Sequence, residues 1–129
     1  MGLDLSHWKP MRHVEHEEAA GYFSIDELST LQGYIEQHRQ FIVEKDFDEY
    51  GKEDVIYFRS EGSQRKGMAF DFYSNFSNDG IYCDLQSVKK AYSFLQADQS
   101  NKLSALQSNF QKNFIDNFIE GESIFHVSW

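Results

Sequence analysis

Apolar and polar positions alternate near both ends of the chain and fall into helical periods between them. Leu3 and Leu5 alternate with Asp4 and Ser6, which predicts a half-buried first strand. Lys9 to Gly21 has no apolar period and reads as a loop. A helix then opens at Ser24, which has capping-box spacing to Glu27, and Phe23 can staple onto Leu28. Ile25, Leu28, Leu31 and Ile35 recur on one face, so this helix is expected to reach about His38. Phe41 to Val43 predicts a short strand. Val55 to Arg59 and Met68 to Tyr73, rich in β-branched and aromatic residues, predict two stronger ones, with Ser60 to Gly67 as the hairpin connection. Asn78-Asp79-Gly80 signals a turn into a strand at Ile81 to Cys83. Asp84 or Ser87 can cap a helix whose face is Val88, Ala91, Tyr92 and Leu95. A longer helix follows from about Asn101, with Leu103, Leu106, Phe110, Phe114 and Phe118 as its buried stripe and Gly121 placed to end it. Phe125 and Val127 alternate with Ile124 and His126 in a closing strand.

Strands that cluster, not alternating with helices, argue for an α+β fold. The expected architecture is a mostly antiparallel sheet of about five strands with three helices packed on it, a single layer of each. Residues 1–129 show no repeat and no linker, and Pro10 is the only proline, so one domain is expected. Twelve phenylalanines among 40% hydrophobic residues can fill its core. Cys83, the single cysteine, has no partner for an intramolecular disulfide, which favours a reducing compartment. Met1 to His7 lacks the basic start and apolar run of a signal peptide. Gly2 and Ser6 have myristoylation spacing with no basic patch beside them. No apolar run approaches the ~20 residues that span a bilayer. A cytoplasmic protein without membrane contact is the expectation.

Charge changes the picture more than composition does. The net charge is −9, and residues 1–65 hold 14 acids against 7 Lys and Arg. Six acids fall between Glu44 and Asp54: Glu44, Asp46, Asp48, Glu49, Glu53 and Asp54, with Lys45 and Lys52 among them. Such a field repels phosphate backbones and anionic membranes and attracts basic proteins. Its bland function is solubility. With Phe47, Tyr50 and Tyr57 as aromatic anchors, the same residues make a candidate partner-binding site on an exposed connection between strands.

Candidate chemistry is sparse. His13-x-x-His16, beside Glu15, Glu17 and Glu18, offers at most two ligands where zinc needs three or four, and His7 and His126 could join only if the fold converges them. Asp46 to Gly51 imitates the start of a calcium loop, but Tyr50 and Tyr57 occupy positions that need oxygen ligands. Gly2 to Trp8 resembles the first strand of the barrel-fold muramidases. Those need ~200 residues and a second carboxylate in an Asp-x-Glu triplet, which this chain lacks. Cys83 stands beside Asp84, the wrong neighbour for a thiolate nucleophile, and reads as a packing residue. No phosphate loop, dinucleotide fingerprint or nucleophile elbow occurs, and the aromatics are not interleaved with basic residues as nucleic-acid binding requires. No catalytic set, metal or cofactor is expected.

The opening Met1-Gly2-Leu3-Asp4-Leu5-Ser6-His7 and the closing Phe118 to Trp129 resemble the ends of small bacterial immunity proteins of polymorphic or contact-dependent toxin systems. The resemblance covers the two ends and the general make-up, about a fifth of the chain, and carries over no functional residue. It implies a cytosolic, non-catalytic protein that neutralises a cognate toxin domain, expected to be a basic nuclease, by covering its active site or substrate groove. Two other classes remain open at this point. One is an acidic nucleic-acid mimic that inhibits a DNA-binding enzyme, disfavoured because the acids are clustered. The other is a small metal-dependent enzyme using His7, His13, His16 and His126.

Overall fold

The alternation at the chain start extends further than Leu5. Strand β1 runs Asp4–Pro10, with Leu5 and His7 fully buried and Ser6 between them partly exposed. A computed structural model describes residues 3–12, 18–65, 67–96 and 102–129. Its architecture is α+β, and each described strand pairing is antiparallel. His13, Glu15, His16 and Glu17 of the candidate metal cluster lie outside the described residues. By packing, the chain divides into two compact units, Met1–Trp8 with Glu61–Trp129, and Lys9–Ser60.

In the first of these units, β1 pairs with the closing strand, here β6 at Ile124–Ser128; the short β5 at Ile81–Tyr82 flanks β6. Leu5 lies opposite Val127 and His7 opposite Phe125, so one face of this ribbon is buried throughout. Three helices cover it: α3 at Phe72–Asn75, α4 at Leu85–Tyr92 and α5 at Leu103–Phe110. Asp84 caps α4, its carboxylate accepting the Ser87 N–H at 2.9 Å. Val88 and Ala91 are the buried positions of α4.

The predicted aromatic stripe holds from Leu106 to Phe118, whereas Leu103 is exposed. Residues four apart in an α-helix drift by about 40°. Here the helix continues past Phe110 as a wider turn over Gln111–Ile115, closed by the Asp116 N–H donating to the Gln111 carbonyl at 2.9 Å. The wider turn offsets the drift. It keeps Phe114 and Phe118 on the buried face with Phe110, whose ring stacks on Phe114 at 4.5 Å.

Two sequence expectations fail in this unit. Met68 to Tyr73 is not a strand: Met68 makes one isolated bridge to Leu95, and Phe72 opens a helical turn. That turn brings Phe72 and Phe76 into a stack at 4.6 Å with both rings buried, whereas Phe70, which a strand would have placed on the face of Phe72, is 83% exposed. Burying two rings four residues apart outweighs β propensity. Nor do Ser60 to Gly67 form a hairpin connection, because the strand continues to Gln64. Gly62 serves a close approach there: a Cβ on it would lie 2.6 Å from the Asn113 carbonyl oxygen.

The second unit holds β2 at Gly21–Ser24, short helices α1 at Ile25–Leu28 and α2 at Tyr34–Gln37, strand β3 at Val43–Asp46, and the first part of β4, a strand spanning Lys52–Gln64. The capping box forms as expected. Ser24 Oγ accepts the Glu27 N–H at 3.1 Å and Glu27 Oε1 accepts the Ser24 N–H at 3.0 Å. Ser24→Ala should therefore lower stability by about 0.5–2 kcal/mol. A melting curve superimposable on that of the parent would contradict the role of this cap.

The long helix to His38 does not form. The Ser29 hydroxyl donates to the Asp26 carbonyl at 2.6 Å and the Thr30 hydroxyl to the Glu27 carbonyl at 3.0 Å, competing with the backbone for its acceptors. Gly33 then turns the chain at φ 77° before α2 begins. His38 donates from Nδ1 to the Tyr34 carbonyl at 2.8 Å and stacks on the Tyr34 ring at 4.1 Å, closing this segment. Arg39–Phe41 is a 3₁₀ turn, so the strand predicted over Phe41 to Val43 begins instead at Val43 and takes in the first acids.

Candidate functional site: the acidic hairpin

The acidic stretch is itself a β-hairpin. Strand β3 pairs with β4 from Val43↔Val55 through Glu44↔Asp54 and Lys45↔Glu53 to Asp46↔Lys52. This corrects the expectation of a connection between strands: four of the six acids sit on strands in fixed register, and Asp48 and Glu49 form the tip.

Three residues build the tip. Asp46 Oδ1 accepts the Asp48 N–H at 2.9 Å, an Asx turn that reverses the chain. Asp48 sits at φ 56°, a left-handed position that aspartate tolerates. Gly51 follows at φ 87° and ψ −152°, a region only glycine enters at low cost. The Phe47 N–H donates to the Gly51 carbonyl at 2.7 Å and closes the loop. The six residues that imitate a calcium loop are thus a turn sequence, in which Asp46 and Asp48 hold the backbone. At the apex Tyr50 is 92% exposed.

The pleat sorts the remaining side chains. Glu44, Asp46, Lys52 and Asp54 share one face of the hairpin, where Lys52 Nζ lies 3.5 Å from Glu44 Oε1. Glu44 stands directly opposite Asp54, a like-charge pair that costs stability. An open cleft of about 330 Å³ runs beside it, lined by Ile25, Asp26, Lys52, Glu53 and Asp54. On the other face Lys45 lies opposite Glu53, with Tyr57 further along β4 and Tyr22 opposite Tyr57 on β2. The Lys45 ammonium sits over three rings, 5.2 Å from Tyr22, 5.3 Å from Phe47 and 5.8 Å from Tyr57.

All nine predicted site residues, Glu44, Asp46, Phe47, Asp48, Glu49, Tyr50, Glu53, Asp54 and Tyr57, therefore lie on one hairpin, divided between its tip and two faces. The acids are exposed and Phe47 and Tyr57 half-buried. Sequence reasoning missed Tyr22 and Lys45. Tyr22 is the second residue of β2, a strand the sequence did not indicate, and its cross-strand pairing with Tyr57 has no local signal.

The other candidates separate. His7 is fully buried; its Nδ1–H donates to the Asn113 carbonyl at 3.0 Å, so Nε2 accepts from the Ser123 hydroxyl at 2.8 Å. The Ser123 oxygen in turn accepts the Ile119 N–H at 2.9 Å. His126 pairs with Ser6, which places it on the opposite face of the ribbon from His7. These two histidines do not converge. Among the described residues no group of three or more His, Cys, Asp or Glu is placed to hold a metal.

Cys83 is half-buried, and burial pushes its thiol above the ordinary value, with the Asp84 and Glu120 carboxylates acting in the same direction against a backbone hydrogen bond. The folded state thus holds this proton more tightly than the unfolded chain. Its contribution to stability is complete below the unfolded thiol's pKa and is lost as pH rises through the folded one. Urea unfolding should show stability falling as pH climbs past 9.0, with Cys83→Ala removing that part of the fall. Identical slopes for both proteins would contradict it.

Among the described residues no helix is long and apolar enough to cross a membrane. No protein family, no curated protein and no solved structure matches the chain.

Proposed function

We propose that the chain is an immunity protein, which binds a cognate basic toxin domain of nuclease type in the cytoplasm and blocks its active site or substrate groove. The observation that carries this reading is the acidic hairpin. Glu49 and Tyr50 stand at the tip of a turn whose geometry Asp46, Asp48 and Gly51 fix, and the strands behind it bring Glu53 and Asp54 to the surface. A domain that grips nucleic acid is basic where phosphates bind, so an acidic projection meets it with steered, fast association. Tyr50 supplies a rigid amphipathic side chain of the type that dominates protein interfaces. The opposed Glu44 and Asp54 fit the same reading, since repulsion inside the hairpin is relieved when a cation approaches.

The proposal is tested by co-expressing the chain with the nuclease-type toxin domain proposed as its partner. Cells should survive with the parent chain and die with a variant in which Glu49, Glu53 and Asp54 are lysine. Survival with both would remove the hairpin from the interface.

A further inference from the structure

On the side of the hairpin away from the Glu44–Lys52 ion pair, Tyr22, Phe47 and Tyr57 form three walls around one cation. Tyr22 lies 6.0 Å from Phe47 and 5.9 Å from Tyr57, centroid to centroid, with interplanar angles of 55° and 60°. Rings inclined in this way cannot stack on one another; they present faces to a shared space. The negative face of each ring attracts positive charge, and three faces meeting at one point make a cation cage. In the unbound chain Lys45 fills it from within.

We propose that this cage is a recognition site for a side-chain cation, an arginine guanidinium or lysine ammonium of a basic protein, and that Lys45 is its resident placeholder. This rests on the proposed role of the hairpin as a protein-binding element and names the chemistry that one face of it reads. Three features support exchange. Tyr22 is 39% exposed, so one wall of the cage is open to solvent. Lys45 reaches the cage on a flexible four-carbon stem, and Glu53, directly across on β4, gives the displaced ammonium an anionic neighbour. The exposed acids of the tip, Asp48 and Glu49, follow directly after Phe47, so a cation drawn to the tip arrives beside the cage. The partner's cation gains the ring faces, while Lys45 moves to a site where water and Glu53 solvate it.

The test uses tetramethylammonium chloride, a cation that cannot donate a hydrogen bond and so reads ring faces in preference to carboxylates. Neopentyl alcohol is the neutral probe of matching size, and sodium chloride holds ionic strength constant. Ring proton resonances of Tyr22, Phe47 and Tyr57 report binding to the full chain. Lys45→Gln removes the internal competitor and should tighten the apparent Kd for tetramethylammonium by about tenfold, as expected when a tethered occupant is lost. Tyr22→Leu in the Lys45→Gln background should weaken it by about threefold or more; this exposed ring is chosen so that folding is retained, and Phe47→Leu provides a second wall if it is not.

The inference is overturned if Lys45→Gln binds tetramethylammonium no more tightly than the parent, or if neopentyl alcohol shifts the same resonances equally. In either case Lys45 and the rings only brace the hairpin. Reversing Asp54 to lysine, on the opposite face of the hairpin from Lys45, separates this result from the proposed function: the reversal should slow association with the proposed toxin partner and leave the cage titration intact.

Discussion

Phe114→Ala should destabilise the protein by about 3–5 kcal/mol, the largest loss expected from any single truncation considered. Phe114 is fully buried, stacked on Phe110 at 4.5 Å with an interplanar angle of 6°, and set edge-on to Phe125 at 5.8 Å. His7 lies on a further side at 6.2 Å, held by its bonds to Asn113 and Ser123. A cavity at this point cannot close easily. Its walls belong to a sheet ribbon and to a helix pinned against Gly62, where the Asn113 carbonyl leaves no room even for a methyl group. Such a loss is a large share of the roughly 5–15 kcal/mol by which domains are stable. Urea unfolding should show a lower midpoint with an unchanged slope; a loss under about 1 kcal/mol would mean that the stripe is not the core of this unit.

The second large effect is on association. Changing Glu49, Glu53 and Asp54 together to lysine should slow binding to the proposed toxin partner by about ten- to a hundredfold, within the range that electrostatic steering spans. These three are chosen in place of Asp46 and Asp48, because the latter hold the turn and their loss would confound charge with backbone geometry. Stability should change little, since exposed charges contribute little to folding and the relief of Asp54 against Glu44 is offset by a new like charge at position 53 opposite Lys45. Tyr50→Ala should act on the other rate. With 92% of the side chain exposed it supports no core, yet losing a desolvated anchor in a complex costs over about 2 kcal/mol, seen as faster dissociation.

The sequence carried the fold class and, from Ile81 on, the order of the elements. The caps at Ser24 and Asp84, the stripe from Leu106 to Phe118 and the closing strand were legible because each is a local pattern whose period matches the structure it forms. The failures had both local and long-range causes. Ile25, Leu28, Leu31 and Ile35 kept a helical period across a segment that breaks at Ser29 and Gly33, where hydroxyl back-bonding and a left-handed glycine win. Met68 to Tyr73 had the composition of a strand, but the stack of Phe72 on Phe76 decided otherwise. Gly62 looked like a turn residue because its constraint, the Asn113 backbone, lies 51 positions away. At the candidate site the acids and aromatics could be read from their density. That Lys45 sits in a cage with Tyr22 could not, because it follows from pairing register, which no run of residues states on its own; the turn roles of Asp46 and Asp48 are local, an Asx turn and a left-handed aspartate.

Binding kinetics against the nuclease-type toxin domain proposed as the partner, at low and high salt, test the central claim most directly. The parent chain should associate fast at low salt and markedly slower at high salt, as screening shortens the reach of the hairpin's field. The Glu49, Glu53 and Asp54 triple-lysine variant should associate slowly at both. If that variant instead binds as fast as the parent and still protects cells, the hairpin's charge serves solubility and the chain does not meet its partner there.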